Sequence, residues 1–198
     1  MPCCLGGRWR YRRSHLPGWP TMMCGMTTDE PPADRARSEY RLEVPVAIDD
    51  ADPGLQVRLV TPWDVDGEDL AALLLASYRG TVDDEGEDLD DARAAIAHYL
   101  DIAVRGPSVV ALHGHRVVAI AFVVVVRGLR YIDPVAVAPE WKRIGIGRQV
   151  VLAAIQRLPP DSTAIGAVVT DGNEPSEGLF RGLAFRRVGA WSTHGAST

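Results

Sequence analysis

The period of apolar positions changes several times along the chain, and those changes divide it into elements. Residues 56–60 (QVRLV) alternate as a short strand. Thr61 and Pro62 then read as a helix start, with Thr61 as N-cap and Pro62 in the first turn, where its missing N–H costs nothing. Leu70, Leu73, Leu74 and Ser77 fall at i, i+3, i+4 and i+7, which predicts an amphipathic helix running to Tyr78 and stopped by Gly80. A polar, acidic linker covers 80–88. Beyond it Leu89, Ala92, Ile96 and Tyr99 mark one face of a second helix, with Asp90 and Asp91 in its first turn, where the helix dipole favours them.

From residue 108 the pattern becomes strand-like. Runs over 109–113 and 116–126 are apolar and β-branched, and Gly114-His115 between them is a two-residue hairpin signal. A third strand is expected over 131–137, after the turn at Arg127-Gly128-Leu129. Pro134 inside it cannot donate to a ladder, so a bulge or a local edge is expected there. Helical spacing returns over 145–158, followed by a strand over 164–170, a short helix over 173–183 and a last strand over 185–191. The predicted order, β-α-α-β-β-β-α-β-α-β, makes an α/β domain: one mixed sheet flanked by helices, without an internal repeat.

The ends read differently. Residues 1–25 hold Arg8, Arg10, Arg12 and Arg13, no acid, no sustained apolar period and all three cysteines (Cys3, Cys4, Cys24). Residues 26–53 stay polar and Pro-rich, a composition that favours disorder. The expected organisation is therefore a disordered extension over 1–54, a domain over 55–192 and a tail over 193–198.

Composition narrows the function. The 46% hydrophobic and 24% charged content is globular, and a formal charge of -5 argues against a nucleic-acid partner, which selects for a basic face. The longest apolar run, 117–126, is too short to span a bilayer as a helix. With no apolar stretch following the basic N-terminal segment, no signal peptide is read, and a soluble cytoplasmic protein without a membrane partner is expected. The cysteines have no histidine pair at ligand spacing, so no metal is expected.

The chemistry concentrates in residues 135–148, VAVAPEWKRIGIGR. A strand ends at Val137, a Pro-containing loop follows, and Gly145 and Gly147 stand at the start of a helix. Glycine there lets a ligand approach the backbone, and the first-turn N–H groups have no intrahelical partner. Those donors and the helix dipole favour an anion such as a pyrophosphate, with Lys142, Arg143 and Arg148 adding positive charge. A dinucleotide-binding fingerprint fits poorly, because Val150 occupies the place of its third glycine.

This run resembles motif A of the GNAT superfamily of acyl-CoA-dependent N-acyltransferases, matching at Val135-Ala136-Val137, Pro139 and Lys142-Arg143-Ile144-Gly145-Ile146-Gly147. A second match, Asn173-Glu174-Pro175-Ser176, Leu179-Phe180 and Leu183-Ala184-Phe185, resembles the family's closing motif in the right order and separation. The resemblance covers about residues 55–192. It implies acetyl-CoA or a related acyl-CoA as co-substrate, an amine acceptor, and a monomer or homodimer. Backbone groups of Val135, Ala136 and Val137 would pair with the pantetheine arm where two parallel strands splay. The N–H groups of Arg143, Ile144, Gly145, Ile146, Gly147 and Arg148 would hold the pyrophosphate, Asn173 would help fix the thioester end, and the Val137 N–H would polarise the thioester carbonyl. Three departures stand out: Lys142 replaces Arg or Gln, Ala184 replaces Gly, and Phe180 replaces the tyrosine that in many members protonates the leaving thiolate.

Amine acylation needs a proton acceptor. Asp133 is the candidate general base: an acid in an apolar strand beside Pro134, expected to share side-chain parity with Val135 and Val137 and to have a raised pKa if desolvated. A solvent-facing Asp at a strand entry is the plain alternative. The acidic run Asp83-Asp84-Glu85-Gly86-Glu87-Asp88 would attract a cationic acceptor, with Glu85 the second candidate catalytic acid, or it is simply a solvated, capping loop. Two function classes follow: a catalytic acyltransferase, or a non-catalytic acyl-CoA-binding or regulatory domain that the loss of a phenol at Phe180 would allow.

Overall fold

The long apolar run lies near the middle of a seven-stranded sheet. The computed structural model describes residues 36–44 and 54–191. Its strands are β1 (Arg37–Glu43), β2 (Arg58–Val60), β3 (Val109–His113), β4 (Arg116–Val126), β5 (Leu129–Val137), β6 (Ala164–Thr170) and β7 (Arg186–Ala190). They lie in the order β2-β3-β4-β5-β6-β1-β7, and every neighbouring pair is antiparallel except β5 with β6. The helices are α1 (Gly67–Tyr78), α2 (Leu89–Ile102), α3 (Ile146–Gln156) and α4 (Glu174–Gly182).

Alternation along β4 explains the layers. Ile120 and Phe122 pack with α1 and α2, while Ala119, Ala121 and Val123 pack with Ile146, Val150 and Val151 of α3. Both faces of this strand are covered, which is why its sequence is an unbroken apolar run. Its exposed members are Arg116 at the start and Val125, 53% accessible near the strand's end.

Two expectations are corrected here. The sheet contains a strand, β1, inside the stretch expected to be disordered, so the folded unit does not begin at residue 55. Ser38, Tyr40 and Leu42 alternate inward and are buried, and β1 is hydrogen-bonded to β6 on one side and β7 on the other. The other expectations for 1–54, over residues 1–35 and 45–53, lie outside the described residues, as does the tail. Thr61 and Pro62 do not open α1 either. Pro62–Asp64 forms a separate 3-10 turn without a side-chain cap, and α1 starts after Asp66, whose carboxylate accepts the Glu68 N–H at 2.9 Å. Pro62 fits the first turn of either helix type; the acid nearer the periodic run makes the cap.

Candidate active site

The parallel strands β5 and β6 are joined only at Arg130 with Ile165, Tyr131 with Gly166 and Ile132 with Ala167. Gly166 is required at the middle of these three pairs, opposite Tyr131, since a Cβ there would sit 2.4 Å from the Tyr131 ring. Beyond the last pair the strands part. Residues 135–137 of β5 remain paired with β4, and 168–170 of β6 with β1, so a wedge opens between them. The Ala138 N–H donates to Val118 O at 2.9 Å on the β4 side. Strand amides alternate in direction, so those of Val137 and Val135 point into the wedge. Backbone donors and acceptors on its wall suit an extended, amide-bearing chain.

At the end of this wall Pro139–Trp141 forms a 3-10 turn, Arg143 adopts φ 66° and Gly145 φ 96°, and α3 begins. Glycine takes this left-handed conformation without strain, and as the N-cap it turns the following amides outward. The first helical bond is Gln149 N–H to Gly145 O at 3.0 Å, so the amides of Ile146 and Gly147 precede the ladder. Gly147 also lets α3 lie close to β5: a Cβ there would meet Val137 Cγ2 at 3.4 Å and Leu179 Cδ2 at 3.7 Å. Ile144 is exposed on the same loop, 46% accessible. Two of the basic side chains read as phosphate partners reach elsewhere. Lys142 Nζ donates to Ser77 O at 2.8 Å, at the last turn of α1, and Arg148 Nη1 donates to Gly182 O at 3.3 Å, at the end of α4. The third, Arg143, is exposed on the same loop beside these amides.

On the other side of β5 stands Asp133. The ladder with β4 jumps between Ala121 and Val123, so Asp133 and Pro134 together oppose Phe122 and form the expected bulge; the peptide joining them is cis. The extra residue reverses the parity. Ile132, Val135 and Val137 pack on the α3 side, while Asp133 turns toward α2, where Tyr99 Oη donates to its Oδ2 at 3.3 Å. The shared parity of Asp133 with Val135 and Val137 is therefore corrected. Asp133 is not a solvent-facing strand-entry residue. Burial pushes its carboxyl up to about 6; the Arg37 charge and the Tyr99 hydrogen bond oppose that rise, and Asp83 adds to it. Tyr78, at the end of α1, shares this neighbourhood: burial first, then the charges of Asp133, Asp83 and Glu87, raise its phenol far above the ordinary range.

The acidic linker is largely structural. Asp84 accepts the N–H groups of Gly80 at 2.8 Å and Gly86 at 3.0 Å, Glu87 accepts from Glu85 N–H at 3.0 Å, and Asp88 forms a capping box with Asp91. Glu85 is exposed, and the linker acid whose charge reaches Asp133 is Asp83. Asn173 caps α4 by accepting Ser176 N–H at 3.1 Å and donates Nδ2 to Asp83 Oδ2 at 2.7 Å. It thus ties the start of α4 to the linker, a role its motif position does not reveal. Sequence reading also missed Tyr99 and Arg37: the first looked like one more core residue of α2, and the second fell in the stretch read as disordered.

The acetyltransferase (GNAT) family model matches residues 67–185. The chain belongs to the GNAT family. Among curated proteins none matches. Solved structures similar to it include the Pyrococcus horikoshii OT3 protein PH1933, with TM-score 0.60, 19% identity, and coverage of 70% of this chain and 94% of that one. A GCN5-related N-acetyltransferase from Sphaerobacter thermophilus gives TM-score 0.58 at 11% identity, covering 79% of this chain and 49% of its own, so this chain spans about half of that protein. An aminoglycoside antibiotic 6'-N-acetyltransferase from Acinetobacter haemolyticus gives 0.52 at 13% identity, covering 73% and 99%. At such identities the likeness is one of fold, and the splayed GNAT sheet is that fold. Acyl transfer from acyl-CoA is the chemistry of the family. Among the described residues no helix is long and apolar enough to cross a membrane, and no cluster of three or more His, Cys, Asp or Glu could hold a metal ion. The GNAT tyrosine position is filled by Phe180, which is buried against Phe185 with ring centroids 5.1 Å apart.

Proposed function

We propose that the chain is an N-acyltransferase that moves an acetyl or other short acyl group from acyl-CoA to a primary amine, the acceptor being a cationic small molecule or a peptide amine. The observation that carries this reading is the juxtaposition along β5: amides of Val135 and Val137 face the wedge, α3 opens at its end, and a carboxylate of raised pKa stands at the bulge four residues before Val137. In the proposed reaction the amine nitrogen attacks the thioester carbonyl carbon. The C–N bond forms and the C–S bond breaks, and the oxygen is held meanwhile by the Val137 N–H. Asp133 takes the proton the amine loses, and the thiolate leaves with its electron pair and gains a proton from solvent. A thiolate is stable enough to leave unassisted, so the absence of a phenol at Phe180 is compatible with turnover. The carboxylates of Asp83 and Asp133 favour a cationic acceptor on electrostatic grounds.

The buried Phe180 also favours a second reading, an acyl-CoA-binding domain without catalysis. Mass spectrometry of the purified protein for bound CoA, followed by thiol release from acetyl-CoA across an amine library, separates the two. Amine-dependent release supports the enzyme. Tight CoA binding with no release above the uncatalysed rate for any amine supports the binding domain, and no CoA binding overturns both.

A further inference from the structure

We propose that Tyr99 is a positioning residue for Asp133, holding one carboxylate oxygen so that the other faces the acceptor amine; this rests on the reading of Asp133 as the base. The Tyr99 ring is fixed before its hydroxyl is considered. It lies in the last turn of α2 and stacks on Phe122, with centroids 5.4 Å apart and planes 16° from parallel. Phe122 is fully buried and is the β4 residue directly opposite the bulge. The element that turns Asp133 to this face and the element that anchors Tyr99 are therefore the same interruption of the ladder. From that anchored ring the hydroxyl donates to Oδ2 at 3.3 Å, while Oδ1 carries no hydrogen bond among the described residues.

A phenol in this place does two things that Phe122 and the backbone cannot. It sets the rotation of the carboxylate, and it donates to the ionised form, the one able to accept a proton. The groups around Asp133 divide on that second point. Arg37 from β1 and Tyr99 from α2 favour ionisation, whereas burial and Asp83 from the linker disfavour it; Tyr78 from α1, kept protonated, adds no charge. Tyr99 is the neutral member of the favouring pair, so its effect survives high salt better than that of Arg37.

Tyr99→Phe tests this while retaining the ring and its stacking. Two readouts are taken: the pH dependence of acyl transfer, and the titration of the Asp133 side-chain carboxyl followed by carbon NMR, assigned with Asp133→Asn. Losing the donor raises the Asp133 pKa, so both curves move to higher pH by about one unit, the scale of a hydrogen bond to a charged group. Below the ionisation the rate falls about tenfold; well above it the rate returns to within a few-fold of wild type, and KM for acyl-CoA does not move. If Asp133→Asn is inactive but Tyr99→Phe superimposes on wild type in both curves, Tyr99 only fills space and the inference fails while the base reading stands. If Asp133→Asn transfers at full rate, the base reading fails and the inference falls with it.

Discussion

The two sides of β5 are built from different materials. On the α3 side, the surface proposed for acyl-CoA is backbone: amides of Val135 and Val137 along the wedge and the first turn of α3 behind Gly145. On the α2 side, the proposed base and the groups that act on it are side chains from distant elements: Asp133 from β5, Tyr99 from α2, Asp83 from the linker and Arg37 from β1. A backbone cradle depends on conformation, which a few glycines and a proline dictate locally. A side-chain constellation depends on which way each strand residue points, which one bulge reverses. The first kind of site is fixed within about fifteen residues of sequence; the second exists only once the sheet has closed.

The sharpest way to break this division is to damage one side and watch the other. Gly147→Glu places a carboxylate and its stem where Val137 and Leu179 already lie within 4 Å of the position a Cβ would take, at the helix start proposed for phosphate. Acetyl-CoA binding measured by calorimetry should be lost, while the NMR titration of Asp133 keeps its midpoint. A melting temperature near wild type is needed for the comparison to count. Equal acetyl-CoA affinity in a folded variant would show that the loop is not the cradle.

The second break concerns the frame both sides share. Tyr40 is 2% accessible, in a strand hydrogen-bonded on both edges. Tyr40→Ala should cost about 3 kcal/mol of unfolding free energy, the range for removing a buried aromatic ring. Denaturant unfolding measures it, and a cost under about 0.5 kcal/mol, typical of a surface change, would mean that β1 is dispensable. A smaller effect is expected at the tie between the two sides, where Lys142 in the loop after β5 holds the Ser77 carbonyl of α1. Lys142→Met should lower stability by about 1 kcal/mol, as for one hydrogen bond, and leave acetyl-CoA affinity within a few-fold. A large loss of affinity would return Lys142 to the phosphate site that its motif position suggested.

Legibility in the sequence followed the same division. Six of the seven strands and all four helices announce themselves by period and by turn residues, and the Val135–Gly147 run is readable because Pro139, Gly145 and Gly147 act locally. β1 escaped because its inward positions, Ser38, Tyr40 and Leu42, are interleaved with Arg37, Glu39, Arg41 and Glu43, and its partner strands lie more than 120 residues away. Asp133 was found by its oddity, an acid in an apolar strand, but its direction was not, because Pro134 signals a bulge without saying which neighbour it reverses. Tyr99 sits at helical spacing with Leu89, Ala92 and Ile96, so period alone makes it core. Its hydroxyl acquires a meaning only from Asp133, thirty-four residues on.

The central claim is that a side-chain base works beside a backbone cradle, and Asp133→Asn measured across pH tests it most directly. Asn keeps the size and the hydrogen bond from Tyr99 but cannot take a proton. Turnover above the wild-type ionisation should fall by about 100- to 10,000-fold, the usual contribution of a positioned general base. The wild-type rate should rise with pH through about 6, a rise the Asn variant lacks, with acetyl-CoA affinity unchanged. Stability supplies the control. A carboxyl whose folded pKa lies above its ordinary 3.8 stabilises the fold when protonated, so that contribution is present below about pH 4 and is lost as pH rises through about 6. Above that pH the Asn variant should be at least as stable as wild type, so lost activity there is not lost folding. The account predicts a folded, acetyl-CoA-binding variant with a low, pH-flat rate; a folded variant turning over at the wild-type rate with the wild-type pH profile would contradict it.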